Sequence, residues 1–267
     1  MNNTVSPKQV QNVIDALQEV TVDTIDNVVS NCNTFFAMMR DNWADEIAVD
    51  TAASLGEKMD KVIKELGRSC NLLSDGLVDI ANRYAKVAGK APMNAPHRNF
   101  NGSVDYKVVS NKFNDTDEYG FKGNTSNAVG LVADSLKNFT GYLEFLSQKV
   151  GDRIKSINAF GNPDIKLKLL QTSSNISSNL FEAGKTIQHL AEDKILEAAK
   201  NYDIGDVSQY FSTMNSASFK EIINVNGYKT QVSIPNSVVN ARVATMHQNS
   251  GTAGTYNPSN FKGDNLG

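Results

Sequence analysis

"MMRDNWADEIAVD", residues 38–50, holds the single tryptophan of a 267-residue chain, between two long runs of helical periodicity. Upstream, Ile14, Leu17, Ile25, Val28, Cys32, Phe35, Phe36 and Met39 recur mostly three, four or seven apart, one apolar stripe on one helix. Downstream, Met59, Leu66, Leu73, Ile80 and Val87 form an unbroken heptad series, joined by Leu55, Val62, Leu77 and Tyr84. Heptads bring helices side by side, so the stretch reads as the turn of an antiparallel hairpin with Trp43 at its tip. Asp41 or Asn42 suits the N-cap of the second helix, and Asp45 its first turn, where carboxylates meet orphan amides and the positive dipole end. A tip tryptophan packs its ring over the hinge and needs water or a backbone carbonyl for its indole N–H.

A second hairpin follows. Val129, Leu136, Leu143, Val150 and Ile157 keep a seven-residue spacing, with Val132, Phe139 and Leu146 beside them, up to "AFGNPD" at residues 159–164. There Gly161 suits the left-handed residue after a helix, Asn162 the N-cap, Pro163 the first helical position and Asp164 the dipole. The last helix reaches about Tyr202, with Leu169, Ile176, Leu180, Ile187, Leu190 and Ala198 inward. The interval from Trp43 to Gly161 equals that from Tyr84 to Tyr202, 118 residues, and the same shift superposes the apolar stripes, as a duplicated hairpin would. Ser173, Ser177 and Gly184 fall where the first hairpin has Leu55, Met59 and Leu66; such small residues let another helix approach closely. Helices of about 40 residues imply a rod on the order of 60 Å.

The expected fold is mainly α: two long antiparallel helical hairpins forming a four-helix bundle or rod, with a small β-hairpin or sheet and an irregular C-terminal tail. Its divisions are 1–88, the first hairpin; 89–127, a loop with a short strand in "VDYKVV" at 104–109; 128–206, the second hairpin; and 207–267, a β-hairpin at 220–234 around Asn226-Gly227, a short helix in "NSVVNARVATMHQ", and the tail. The strand at 104–109 is expected to join that sheet.

No catalytic constellation emerges. His97, His189 and His247 have no partner at fixed spacing, and Cys32 and Cys70 lie on apolar helix faces as small core residues, so neither a metal, a cofactor nor an enzyme is expected. "GFKGNTSNAVG", residues 120–130, lacks Gly-Lys-Ser/Thr at the place a phosphate loop requires and follows no hydrophobic strand, so it reads as a helix lead-in capped by Thr125 or Ser126. Adjacent carboxylates, Asp45/Glu46 and Glu192/Asp193, point apart on a helix and read as solvated charge. With 26 basic and 29 acidic residues, a net charge of −3 gives no general attraction to polyanions. Arg98, Lys107, Lys112 and Lys122 among Phe100, Tyr106, Phe113 and Phe121 form a local basic-aromatic stretch. Asp105, Asp115, Asp117 and Glu118 dilute it, so nucleic acid is disfavoured as a partner. No apolar run approaches a membrane span, and the first residues lack a Sec-type signal pattern.

A hairpin with Trp43 in its turn and Tyr84 near the end of its second helix resembles the Trp-X-Gly family of small proteins exported by type VII (ESX-type) secretion systems. The family's glycine two residues after the tryptophan is Asp45 here, and Gly161 in the second turn follows Phe160 instead. Family members carry a Tyr-x-x-x-Asp/Glu export signal after the second helix, which "YDIGD" matches with Tyr202 and Asp206. The resemblance implies a non-enzymatic secreted protein, in tandem duplication, whose partners are other proteins: the secretion machinery or copies of itself in an oligomer. A structural component of a phage virion is the alternative, motivated by long helices carrying a β-hairpin and an Asn/Gly-rich tail. A nucleic-acid-binding protein or a toxin fits less well.

Overall fold

The computed structural model describes residues 4–94, 97–157 and 162–211, and the backbone of 218–225 and 228–235. Four long helices dominate: α1 (Pro7–Asn42), α2 (Glu46–Val87), α4 (Ser126–Ser156) and α5 (Pro163–Asn201). A short α3 (Lys107–Asn114) and two two-residue strands, β1 (Trp43–Ala44) and β2 (Gly120–Phe121), fill one end. Each long helix packs on two neighbours, α1 on α2 and α4, α5 on α2 and α4, giving a four-helix bundle. The expected mainly-α architecture of two antiparallel hairpins is what the chain adopts.

The heptad positions point inward as their spacing requires. Met59, Leu66, Leu73 and Ile80 are buried, as are Val129, Leu136, Leu143 and Val150. Val87 is instead 90% exposed, at the last position of α2, where no facing helix covers it among the described residues. Leu190, expected inward, is also exposed; α5 buries Ile187, Ala191, Ile195 and Ala198, and position 190 rotates off that stripe. The small residues of α5 do let α4 approach: Ser173 Oγ donates to the Gly151 carbonyl oxygen at 2.8 Å, and a Cβ on Gly151 would meet Ser177 Oγ at 2.6 Å. Cys32 and Cys70 are free and buried; burial pushes the Cys70 thiol up to about 11 and Cys32 further.

Successive contacts fix the direction of each helix. Phe35 stacks on Phe139 at 5.9 Å, Tyr142 Oη donates to Asn27 Oδ1 at 3.0 Å, and Arg153 pairs with Asp23 at 2.8 Å, so α4 runs antiparallel to α1. Since α2 ends at the far end from Trp43, the chain must return the length of the bundle before α4 begins. It does so as an extended crossover along α2. Asn82 exchanges two hydrogen bonds with the Met93 backbone and Asn71 two with that of Arg98, while Asp60 accepts from Val104 N and Asn33 of α1 from Asp105 N. These side chains replace the ladder partners that the irregular backbone lacks. Phe100 lies against Gly67 and Tyr106 against Gly56, where any side chain on α2 would collide with the rings; Gly102 fits between Ile25 and Ile63.

Residues 104–109 are not a strand. Val104 closes the crossover and Lys107 opens α3, because Val104 and Val109 are both buried here and three residues past Tyr106 a helical turn, not alternation, returns Val109 to the core. Among the described residues the sheet expected to include them has two strands, β3 (Ser218–Val225) and β4 (Tyr228–Pro235), antiparallel from Ser218↔Pro235 to Val225↔Tyr228. Asn226-Gly227, the short helix expected after residue 235 and the tail lie outside the described residues, as do Phe160, Gly161 and His247. No described helix is long and apolar enough to cross a membrane.

A candidate functional site at the Trp43 end

The hairpin turn is more built than its sequence suggests. Helix α1 continues through Asn42, then Trp43 (φ −144°, ψ 113°) and Ala44 extend and pair with Phe121 and Gly120 as β1–β2. The N-cap of α2 is therefore Asp45, not Asp41 or Asn42: a two-residue ladder consumes the positions in between. Asp45 Oδ1 accepts from Ala48 N at 2.6 Å, satisfying a first-turn amide.

Its second oxygen does different work. Trp43 is 1% exposed, stacked on Phe121 with centroids 5.0 Å apart, and its indole Nε1–H donates to Asp45 Oδ2 at 2.8 Å. The expected water or backbone acceptor is thus a carboxylate two residues on. Tyr202, the C-cap of α5, stands beside Asp45, and its hydroxyl is pushed above its ordinary pKa by burial first and by the Asp45 charge second. The ring passes so close to Gly120 that a Cβ there would meet Tyr202 Cε1 at 2.9 Å; Gly120 also has φ +94°, a left-handed value that disfavours a side chain. Asp45, 6% exposed, is no solvated helix charge but the acceptor of a buried junction among three segments. Nor is Glu192 simply solvated: its Oε2 is buried without a hydrogen-bond partner, and desolvation raises its carboxyl.

Of the sequence-derived residues, Trp43, Asp45 and Tyr202 converge here. Asp206 does not: α5 ends through Asp203 in a left-handed conformation (φ 52°), and the Asp206 carboxylate faces solvent, accepting from Ser208 N at 2.9 Å. The Ser208 side chain first, and this amide second, hold it below the usual carboxylate range. Pro163 opens α5 at the opposite end, where Asn162 caps the helix by accepting from Asp164 N and Ile165 N at 3.0 and 3.2 Å. Asn162 Nδ2 donates to Tyr84 Oη at 3.0 Å. The last tyrosine of each hairpin therefore meets the turn of the other, Tyr84 at Asn162 and Tyr202 at Asp45.

Beside β1 and β2 opens a cleft of about 710 Å³ whose wall includes Arg40, Asp41, Lys112, Glu118, Tyr119 and Lys122. Reading residues 120–130 as a helix lead-in anticipated the Thr125 cap of α4 but neither the ladder nor the cleft. The one local signal was Gly120-Phe121, a positive-φ residue beside a large apolar one. The basic-aromatic stretch does not present a stacking platform, since Phe121 is buried and Phe100 and Tyr106 pack on the bundle. Among the described residues no His, Cys, Asp and Glu group could hold a metal ion; His97 pairs with Asp75 at 2.7 Å. No family model matches the chain, and neither a curated protein nor a solved structure does.

Proposed function

We propose that this chain is a non-enzymatic helical-bundle protein acting through protein–protein contacts, of the kind exported by type VII secretion systems, with two tandem hairpins in place of two subunits. The observation that carries the reading is the junction of Trp43 with Tyr202. The turn tryptophan of the first hairpin and the tyrosine of "YDIGD" at the end of the second meet on one carboxylate, Asp45. Asp45 stands where the family has glycine, and its two hydrogen bonds, from Trp43 Nε1 and Ala48 N, give that departure a physical reason. An exposed Asp206, with no hydrogen bond or ion pair beyond its own turn among the described residues, suits a residue read by a partner.

Export measured in cells with and without the secretion ATPase tests this. Asp206→Ala leaves the bundle contacts intact and should abolish release while intracellular protein stays folded by circular dichroism. Export unchanged by that substitution and by loss of the ATPase overturns the reading. A virion structural subunit is the second reading, favoured by the β3–β4 hairpin, whose two strands are paired only with each other among the described residues. Light scattering that finds ordered multimers in the purified protein favours it.

A further inference from the structure

The cleft beside Trp43 carries a charge arrangement that the bundle itself does not use. Arg40, in the last turn of α1, holds Asp41 with two hydrogen bonds, Nε to Oδ1 at 2.7 Å and Nη2 to Oδ2 at 3.0 Å, which occupies both carboxylate oxygens. Lys122 and Lys112 line the same cleft from two other segments, the turn after β2 and α3, and their charges add to the Arg40 hydrogen bonds in holding Asp41 below the usual carboxylate range. Neither lysine forms an ion pair among the described residues. Three cations thus line a cleft with Asp41, whose two oxygens the Arg40 guanidinium already engages.

The backbone adds to this. Gly123 and Asn124 are both left-handed (φ 64° and 45°) and lead directly into Thr125, the N-cap of the 31-residue α4, so the positive end of that helix lies next to the cleft wall. Tyr119, 62% exposed, stands at the rim, held edge-on by Phe113 at 6.0 Å. The opposing group is Glu118, whose backbone N–H is held by Thr116 Oγ1 and whose carboxylate is exposed. A volume of about 710 Å³ is that of a small-molecule site.

We propose that this cleft binds a small phosphate-bearing anion, with Lys112 and Lys122 as its charge partners. The phosphate oxygens take the position between the two ammonium groups, and an attached planar group, where present, lies against Tyr119.

Isothermal titration of the full chain with inorganic pyrophosphate and with adenosine diphosphate, at low ionic strength where such contacts are least screened, tests it. Saturable one-to-one binding is expected, weakened about tenfold or more in Lys112→Gln/Lys122→Gln and tightened in Glu118→Gln. Both lysines are exposed, so the variant keeps its fold, as circular dichroism will verify. Lys61→Gln, in the groove between α2 and α5, should bind as the parent does. If the diphosphate nucleoside binds tighter than pyrophosphate and Tyr119→Ala removes the difference, the anion is the phosphate of an aromatic ligand; equal binding identifies the phosphate alone. No saturable heat with either probe, or equal weakening by Lys61→Gln, overturns the proposal.

Discussion

Replacing Asp45 by alanine removes two hydrogen bonds from the closed end of the bundle, those from Ala48 N and Trp43 Nε1, and the carboxylate beside the Tyr202 hydroxyl. Loss of the N-cap costs about 1 kcal/mol. The indole N–H, on a side chain only 1% exposed, is then left without an acceptor, which costs about 1–3 kcal/mol more. The tyrosine hydroxyl is half-buried, finds water, and adds little. The sum is about 2–4 kcal/mol, which in a chain of this size lowers Tm by about 6–12 °C. Asp45→Gly introduces a Trp-x-Gly tripeptide and separates the parts, because glycine at an N-cap costs only a few tenths of a kcal/mol against aspartate; what remains is the indole contribution. In a Trp43→Phe background, which has no indole donor, Asp45→Ala should cost only the cap, so a double-mutant cycle by urea denaturation should return a coupling of about 1–3 kcal/mol. An Asp45→Ala protein melting within about 1 °C of the parent, or a cycle with no coupling, refutes the account of the junction.

Glu182 lines the groove between α2 and α5 with Lys58 and Lys61, and burial raises its carboxyl to about 7 from 4.5. Its contribution to stability is fully present below pH 4.5 and is lost as pH rises through about 7, because the folded state then carries a poorly hydrated charge. Glu182→Gln should therefore match the parent near pH 4 and gain about 1 kcal/mol over it at pH 8, after discount for a half-wet side chain; denaturation curves at the two pH values that shift equally would refute this. Gly102→Val places a Cβ 2.7 Å from Ile25 Cγ2 and 3.1 Å from Ile63 Cγ2. It should cost about 1–3 kcal/mol and speed hydrogen exchange at the Val104 and Asp105 amides, which the crossover normally holds against Asp60 and Asn33; unchanged exchange there would show that the crossover is not pinned as described.

What could be read from the sequence was local or periodic. Heptads specify a helix face within one segment, so the stripe from Met59 to Ile80 and that from Val129 to Val150 were legible, as was the Asn162-Pro163 start of α5. The parts that escaped depend on residues far apart in the chain. Trp43 pairs with Phe121, and Tyr202 reaches back to Asp45; no spacing rule links them. "VDYKVV" illustrates the limit differently: its alternation fits a strand, yet six residues are too few to resist the groove that takes Tyr106 over Gly56 and turns the next residues into α3. Within the site, the tryptophan was legible and its acceptor was not, since Asp45 looks like any first-turn carboxylate until the ladder displaces the cap.

The crossover that returns along α2 also sets a length condition on how many chains make one bundle. Nineteen residues separate α2 from α3, and fully extended they reach about 65 Å. The path from Val87 back to Gly56, where Tyr106 docks, is about 47 Å. The slack is about five residues. A chain shortened beyond that would be unable to lay its second hairpin against its first, while every apolar stripe and both tyrosine–turn contacts would remain available to a second copy. Such a chain would exchange hairpins with its neighbour, and the same bundle would appear twice in a domain-swapped dimer.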